Sequence, residues 1–200
     1  MTRRFIEYLK NAGFYMDKKL YLIDLDNTLI YTDRANNLAY EKAIKDLLKI
    51  EGYKLFEELS SISTGRITKQ TLAQLLINKD MIQRIVALKN ECFENFLFAT
   101  EGNLILLNEL DNLKMQGHLI LATNANKRRA LEIIDYYKLR NYFEQIICCE
   151  GSENKYENVK QRLNQKGVFY NEVFVFDDDD KQLYYAKKIG FKETNFRNFE

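Results

Sequence analysis

Asp24 and Asp26 stand one residue apart at the end of an apolar run, within the stretch Tyr-Leu-Ile-Asp-Leu-Asp-Asn-Thr-Leu that covers residues 21–29. Positions two apart in a strand share a face, so extended geometry aims both carboxylates the same way. Two like charges that close are costly unless a divalent cation neutralises one, a raised pKa keeps the other protonated, or both act together. At the carboxyl end of a buried strand such a pair points to a reaction centre. The plainer reading of the same residues is a solvated turn that stops the strand, with Asx side chains bonding their own backbone. Matching chemistry at later strand ends would decide between the two.

The elements that must position this pair are legible from periodicity. A leading helix is expected over residues 2–13, with Phe5, Ile6 and Leu9 as its apolar face, and the first strand over residues 20–25. From Asp33, placed as an N-cap, to about Ala99 only helical spacing follows. One helix runs through Ile50 and is broken by Gly52; a short one covers residues 54–59. A polar loop over residues 60–68 contains Gly65 and Arg66, Thr68 caps a third helix, and a long helix starts near Asp80. From Gly102 helices and strands alternate: a helix ending at Gly117 as its C-cap, then strands at 118–122, 144–149 and 172–176, separated by helices at 127–137 and 156–165. A helix over 182–189, closed by Gly190, and a weak strand from Phe191 complete the chain. Strands regularly separated by helices imply an α/β fold with a parallel sheet and right-handed crossovers. The core is expected over residues 1–32 and 100–200, and an all-helical insertion over residues 33–99. Ligands in such sheets bind at the carboxyl ends of the strands, near the switch point.

Those strand ends carry Asp24 and Asp26, then Thr123 and Asn124, then the run of four aspartates at 177–180, with Lys155 opening the helix after the third strand. Carboxylates, a hydroxyl and an ammonium are the parts phosphoryl transfer requires, because an anionic phosphate resists attack until cations and hydrogen-bond donors neutralise it. The order Asp-Leu-Asp-Asn-Thr-Leu, apolar strand and Thr, Lys, apolar strand and Asp-Asp resembles the four motifs of the haloacid dehalogenase superfamily of phosphohydrolases. The helical insertion resembles the cap of its phosphoglycolate phosphatase and beta-phosphoglucomutase branch. The resemblance covers nearly the whole chain and implies a Rossmann-like core with an inserted helical cap.

It also implies roles. Asp24 would be the nucleophile that forms an aspartyl phosphate, and Asp26 the acid for the leaving group and then the base for water. Thr123 would hold a phosphoryl oxygen and Lys155 would neutralise charge. Magnesium would be held by Asp24, the Asp26 backbone carbonyl and Asp178. Asn124 and Arg66 are candidates for substrate contact. An aspartate two residues after the nucleophile argues for phosphate over halide chemistry. The reaction implied is hydrolysis of a small phosphorylated metabolite; a phosphomutase and a catalytically silent binding or regulatory protein are the alternatives. A signalling receiver domain would place its acidic pair before the phosphoacceptor and has no room for the helical insertion.

The chain departs from the family pattern at three points. Asp177 replaces the commoner glycine, Gln182 takes the second acidic position of the fourth motif, and no proline follows Lys155. Lys160 is the rival to Lys155, and Thr123 could instead cap the next helix. Asp179 and Asp180 read as residues favouring a helix N-terminus, His118 as structural, and Lys127, Arg128 and Arg129 as an exposed helix face.

Composition narrows the partners. Thirty basic against 29 acidic residues give a formal charge of +1, which offers no bulk attraction for nucleic acid and leaves a small molecule as the expected partner. The chain's 46% hydrophobic residues suffice for a core. Cys92, Cys148 and Cys149 form no metal or disulfide framework, and adjacent Cys148 and Cys149 would point to opposite faces of a strand. No stretch approaches the roughly 20 apolar residues of a membrane span. Glu7, Lys10 and Asn11 interrupt any signal-like segment after Arg3 and Arg4. A reducing, cytoplasmic setting is expected; oligomeric state is left open.

Overall fold

The computed structural model describes residues 14–15, 19–63, 65–76, 78–167 and 169–194. The helix expected over 2–13 lies outside the described residues. The central sheet has five parallel strands: β1 Lys19–Ile23, β2 Gly117–Thr123, β3 Gln145–Cys148, β4 Val173–Phe176 and β5 Lys192–Glu193. Their spatial order is β3-β2-β1-β4-β5, so the chain leaves β1 to build one side of the sheet and later returns to build the other. That reversal opens a crevice at the carboxyl end of β1, between its two neighbours.

Alternation in sequence sets the two faces. Tyr21, Ile23, Leu119 and Leu121 enter one apolar cluster, while Leu20, Leu22, Ile120 and Ala122 enter the other. Helices cover both. Helix α5 (Leu104–Gln116) and α6 (Lys127–Tyr136) pack on the first face through Leu106, Leu110, Ala130 and Ile133; α7 (Lys155–Gln165) and α8 (Asp180–Lys188) pack on the second through Tyr156, Val159 and Ala186. With every residue of β2 buried, each large aliphatic side chain there contributes about 1.5–3 kcal/mol of burial. Cys148 packs toward the first cluster and Cys149 lies in the second, both as free thiols.

Between residues 33 and 99 the described elements are all helices, as the spacing predicts: α1 Asp33–Leu48, α2 Ile50–Ile62, α3 Lys69–Leu75, α4 Lys79–Cys92 and a 3-10 run Phe93–Ala99. They hold their own apolar cluster of Tyr40, Ile44, Leu59, Leu72, Ile82 and Ile85. Ala35, Ala39 and Phe93 join the cluster of the first sheet face instead. The chain leaves and re-enters the sheet layer through a short antiparallel ladder, Ile30 opposite Gly102 and Tyr31 opposite Glu101.

Several local expectations are revised. Thr68 does cap α3, in a reciprocal box with Thr71. Asp33, however, is the first helical residue of α1, and its carboxylate is engaged with Asn27 and Arg66 rather than with the helix backbone. The break after α1 falls at Lys49, at φ 54°, and not at Gly52. Gly52 lies inside α2, where a Cβ would sit 2.6 Å from the Ile44 carbonyl oxygen, so its missing side chain permits the close approach to α1. Gly117 likewise serves close approach rather than a left-handed cap: its φ is −172°, and a Cβ would meet the Lys19 carbonyl oxygen at 2.2 Å.

Candidate active site

Strand β1 stops at Ile23, and the chain turns at once, with Asn27 at φ 61°. The extended register that would align Asp24 with Asp26 therefore ends before it reaches them, and the two carboxylates meet different surroundings. The Asp24 amide donates to the Phe176 carbonyl at 2.9 Å, which ties the end of β1 to β4. Asp24 as a whole is only 4% exposed.

Around Asp24 the site is acidic with one cation. Lys155, the first residue of α7, is buried and its ammonium donates to the Asp24 carboxylate; the same Nζ lies 2.8 Å from Asp177 Oδ2. Tyr156 donates its hydroxyl to Asp177 at 2.6 Å. Asp178 is fixed from β1's own turn: Thr28 Oγ1 donates to its carboxylate at 3.0 Å and accepts from its amide at 2.9 Å. One oxygen each from Asp24, Asp177 and Asp178 lie within 4.8 Å of one another. Three carboxylates against one ammonium leave negative charge uncompensated, and an all-oxygen donor set of this kind suits a hard divalent cation. Burial pushes the Asp24 carboxyl above its ordinary range, opposed by Lys155 and reinforced by Asp177. Burial also depresses the Lys155 ammonium, but Asp24 and Asp177 outweigh it and hold its pKa above the usual value.

Around Asp26 the balance is reversed. Arg129 from α6 donates to one carboxylate oxygen; Thr32 donates to the other at 2.5 Å, and Arg66 Nη2 lies 3.4 Å from it. Arg66 also donates to Asp33 at 2.9 Å and to Thr32 at 3.0 Å. The loop carrying Arg66 is laid on α1 by Asn36, which donates to the Ile67 carbonyl at 2.9 Å, and by Asn37, which accepts from the Ile67 amide at 2.8 Å. Burial pushes the Asp26 carboxyl up, but Arg129 and Arg66 with the Thr32 hydroxyl hold it well below the carboxylate range. Lys89 of α4 is a third cation here: its ammonium lies over the Tyr40 and Phe93 rings at 5.1 and 5.5 Å. Burial, then the charges of Arg129 and Arg66, pull its pKa down to about 7.

All seven residues singled out from sequence, Asp24, Asp26, Arg66, Thr123, Asn124, Lys155 and Asp178, line one cavity of about 200 Å³. A larger hollow of about 600 Å³ beside Asn27, Tyr31 and Phe98 shares only Asn27 with it and contains none of the three grouped carboxylates. Thr123 is not the cap of the following helix. Its hydroxyl accepts from the Ala125 amide at 3.0 Å, whereas Asn126 caps α6. Asn124 reaches the Ser152 carbonyl at 3.3 Å. Lys160 is committed elsewhere, donating to the Ile189 carbonyl at 3.0 Å. Asp179 caps α8, as its position predicts. Gln182, which sequence comparison leaves as a lost charge, is buried; it accepts from the Lys155 amide at 3.3 Å and donates to the Glu153 carbonyl at 2.8 Å, holding the start of α7 in place.

Arg129 overturns the expectation of an exposed basic face, being 5% exposed. Its position four residues before Ile133, on the buried side of α6, was the signal available. Lys89 follows Ile82 and Ile85 at helical spacing on the buried side of α4. Asp177 belonged to the aspartate run already marked at a strand end; Thr28 and Tyr156 carried no comparable signal.

Fold and site together define a doubly wound α/β scaffold with an acidic centre at its switch point. The chain belongs to the haloacid dehalogenase-like hydrolase family, whose model matches residues 21–195. Solved structures agree on the fold. A haloacid dehalogenase-like hydrolase from Streptococcus pneumoniae is similar at 16% identity and TM-score 0.68, over 88% of this chain and 83% of that one. A predicted phosphoglycolate phosphatase from Haemophilus somnus matches at 15% identity and TM-score 0.69, over 88% and 84%. A candidate beta-phosphoglucomutase from Thermotoga maritima matches at 21% identity and TM-score 0.59, over 86% and 82%. The sequence finds no match among curated proteins. Among the described residues, no helix is long and apolar enough to cross a membrane.

Proposed function

We propose that this chain is a magnesium-dependent phosphatase that hydrolyses a small phosphorylated metabolite through an aspartyl phosphate on Asp24. The observation that carries the reading is the buried Asp24 carboxylate held by Lys155, with Asp177 and Asp178 near enough to share one cation. Magnesium, held by Asp24, Asp178 and the Asp26 backbone carbonyl with Asp177 beside them, would neutralise phosphate charge and orient the phosphoryl group.

The chain's own residues supply the rest. Asp24 attacks phosphorus, the bond from phosphorus to the ester oxygen breaks, and a proton from Asp26 goes to the departing oxygen. Water then attacks phosphorus while Asp26 takes a proton from it, the bond between phosphorus and the Asp24 oxygen breaks, and inorganic phosphate leaves with the Asp24 carboxylate restored. Lys155 offsets charge on nucleophile and phosphate, and Thr123 holds a phosphoryl oxygen. In the ligand-free chain Asp26 is ionised by its arginines, the state a base needs; to act as an acid it must first leave them. Residues 33–99 act as a cap that brings Arg66 to the cavity and excludes water from it.

Para-nitrophenyl phosphate with and without magnesium tests the reading. Turnover should require the metal and fall by on the order of 10³-fold or more in Asp24→Asn, the loss expected for an essential nucleophile. Equal turnover by that variant, or none by the wild-type chain on this ester and on a panel of sugar phosphates, nucleotides and phosphoglycolate, would refute it.

A further inference from the structure

The three positions at which the chain departs from its family's pattern, 156, 177 and 182, meet at Lys155. Tyr156 stands where a proline often follows the lysine; it is fully buried and donates its hydroxyl to Asp177 Oδ2 at 2.6 Å. The Lys155 ammonium lies 2.8 Å from the same oxygen and 5.2 Å from the centre of the Tyr156 ring. Gln182 accepts from the Lys155 amide at 3.3 Å. A buried phenol needs an acceptor, and a buried carboxylate needs donors. Tyr156 and Asp177 therefore depend on each other: glycine at 177 would strand the hydroxyl, and proline at 156 would offer Asp177 no donor.

Acceptor bookkeeping separates the three grouped carboxylates. At Asp177, Oδ2 receives Tyr156 and Lys155 while Oδ1 receives the Asp179 amide at 3.0 Å, so three of a carboxylate's roughly four lone-pair sites are taken. At Asp24 and Asp178 only Oδ1 is engaged, by Lys155 and by Thr28, and among the described residues Oδ2 of each accepts no hydrogen bond. Closeness alone offers a cation three ligands, but hydrogen bonding leaves two carboxylates open to it and closes the third. We propose that Tyr156 is a positioning residue that holds Asp177 as the counter-ion of Lys155 and so keeps it out of the metal's ligand shell. This assignment rests on the magnesium-dependent phosphatase reading and deepens it. When Asp24 gives up its charge to phosphorus, the Lys155 ammonium stays anchored by a carboxylate that takes no part in bond making.

Magnesium binding to the full chain, followed by calorimetry, tests the proposal without requiring turnover. Tyr156→Phe keeps the ring beside Lys155 and removes only the hydroxyl. Asp177, released toward the cation, should then tighten magnesium binding by about tenfold, the scale on which partners of metal-site carboxylates change affinity. At saturating magnesium kcat for para-nitrophenyl phosphate should fall by about tenfold in this variant with KM little changed, the pattern of an interaction made in the transition state. Weaker magnesium binding would mean that Tyr156 orients a ligand, and unchanged binding that it only fills space; either overturns the proposal, as does an unchanged kcat. Asp177→Asn and Asp178→Asn each remove one negative charge from the same cluster, so the difference between them reports ligation. Asp178→Asn should weaken magnesium binding by about 100-fold, and Asp177→Asn by at least about tenfold less. Equal losses, or a wild-type chain that binds no magnesium, would overturn the proposal, and this pair carries the test if Tyr156→Phe does not fold. Should the wild-type chain bind magnesium and turn over no ester, the phosphatase reading has failed, while the magnesium affinities still decide what Tyr156 does.

Discussion

The two halves of the cleft carry opposite imbalances. At Asp24 two carboxylates share one buried ammonium and a third, Asp178, stands beside them; at Asp26 a single carboxylate is held by two arginines with a lysine close by. Two aspartates separated by one residue thus sit in environments that push their carboxyls apart, Asp24 upward and Asp26 downward. An excess of acid invites a metal ion and an excess of base invites an anion. Neither half is balanced in the ligand-free chain.

The largest expected effect comes from removing the single cation of the acidic half. Lys155→Met leaves Asp24 and Asp177 buried without it, so stability should fall by about 3–5 kcal/mol in urea denaturation at pH 7, together with loss of turnover. A variant of wild-type stability would mean that the two halves do not differ as described. Magnesium should then repair the same imbalance in the intact chain. At a hundredfold excess over its Kd it should add about 2.7 kcal/mol, read as a rise in Tm, and the rise should shrink sharply in Asp178→Asn.

The basic half predicts the opposite sign for losing a charge. Lys89 has a pKa of about 7 in the folded chain against an ordinary 10.5. Between those values the unfolded chain keeps a proton that the folded chain has released. Stability therefore rises with pH across that window, and the burden of the buried ammonium is complete below it. Lys89→Met should accordingly stabilise the protein by about 1–3 kcal/mol at pH 7 or below, and the gain should vanish as pH approaches 10.5. Denaturation at pH 7 and pH 10 checks it; a gain independent of pH would assign the effect to packing instead. The smallest effect is expected at Asp33, the more exposed partner of Arg66. Asp33→Asn should change stability by less than about 1 kcal/mol, read by urea denaturation at pH 7, because the pair it forms with Arg66 is partly exposed.

Among the fold's features, the sheet, its flanking helices and the helical stretch over 33–99 were legible because burial on a strand or helix repeats with the backbone's own period. That period also placed Asp24, Thr123 and the aspartate run at strand ends, where side chains can converge at a switch point, while the resemblance to the family singled out Lys155 and Asp178. It misjudged residues whose environment comes from elsewhere. Gly52 looked like a helix breaker but permits a close helix contact, and Arg129 looked solvated beside Lys127 and Arg128 but is buried against Phe93.

Residue types and their order along the chain determined that this protein would be an α/β fold with acidic, hydroxyl and ammonium groups at the carboxyl edge of its sheet, because those facts follow from local geometry. Only the tertiary structure decided which groups share a charge. Lys155 reaches Asp24 across 131 residues and Arg129 reaches Asp26 across 103. Whether a carboxylate is paired with a cation or crowded by its own kind depends on such contacts and on the exclusion of water around them, neither of which any local pattern encodes.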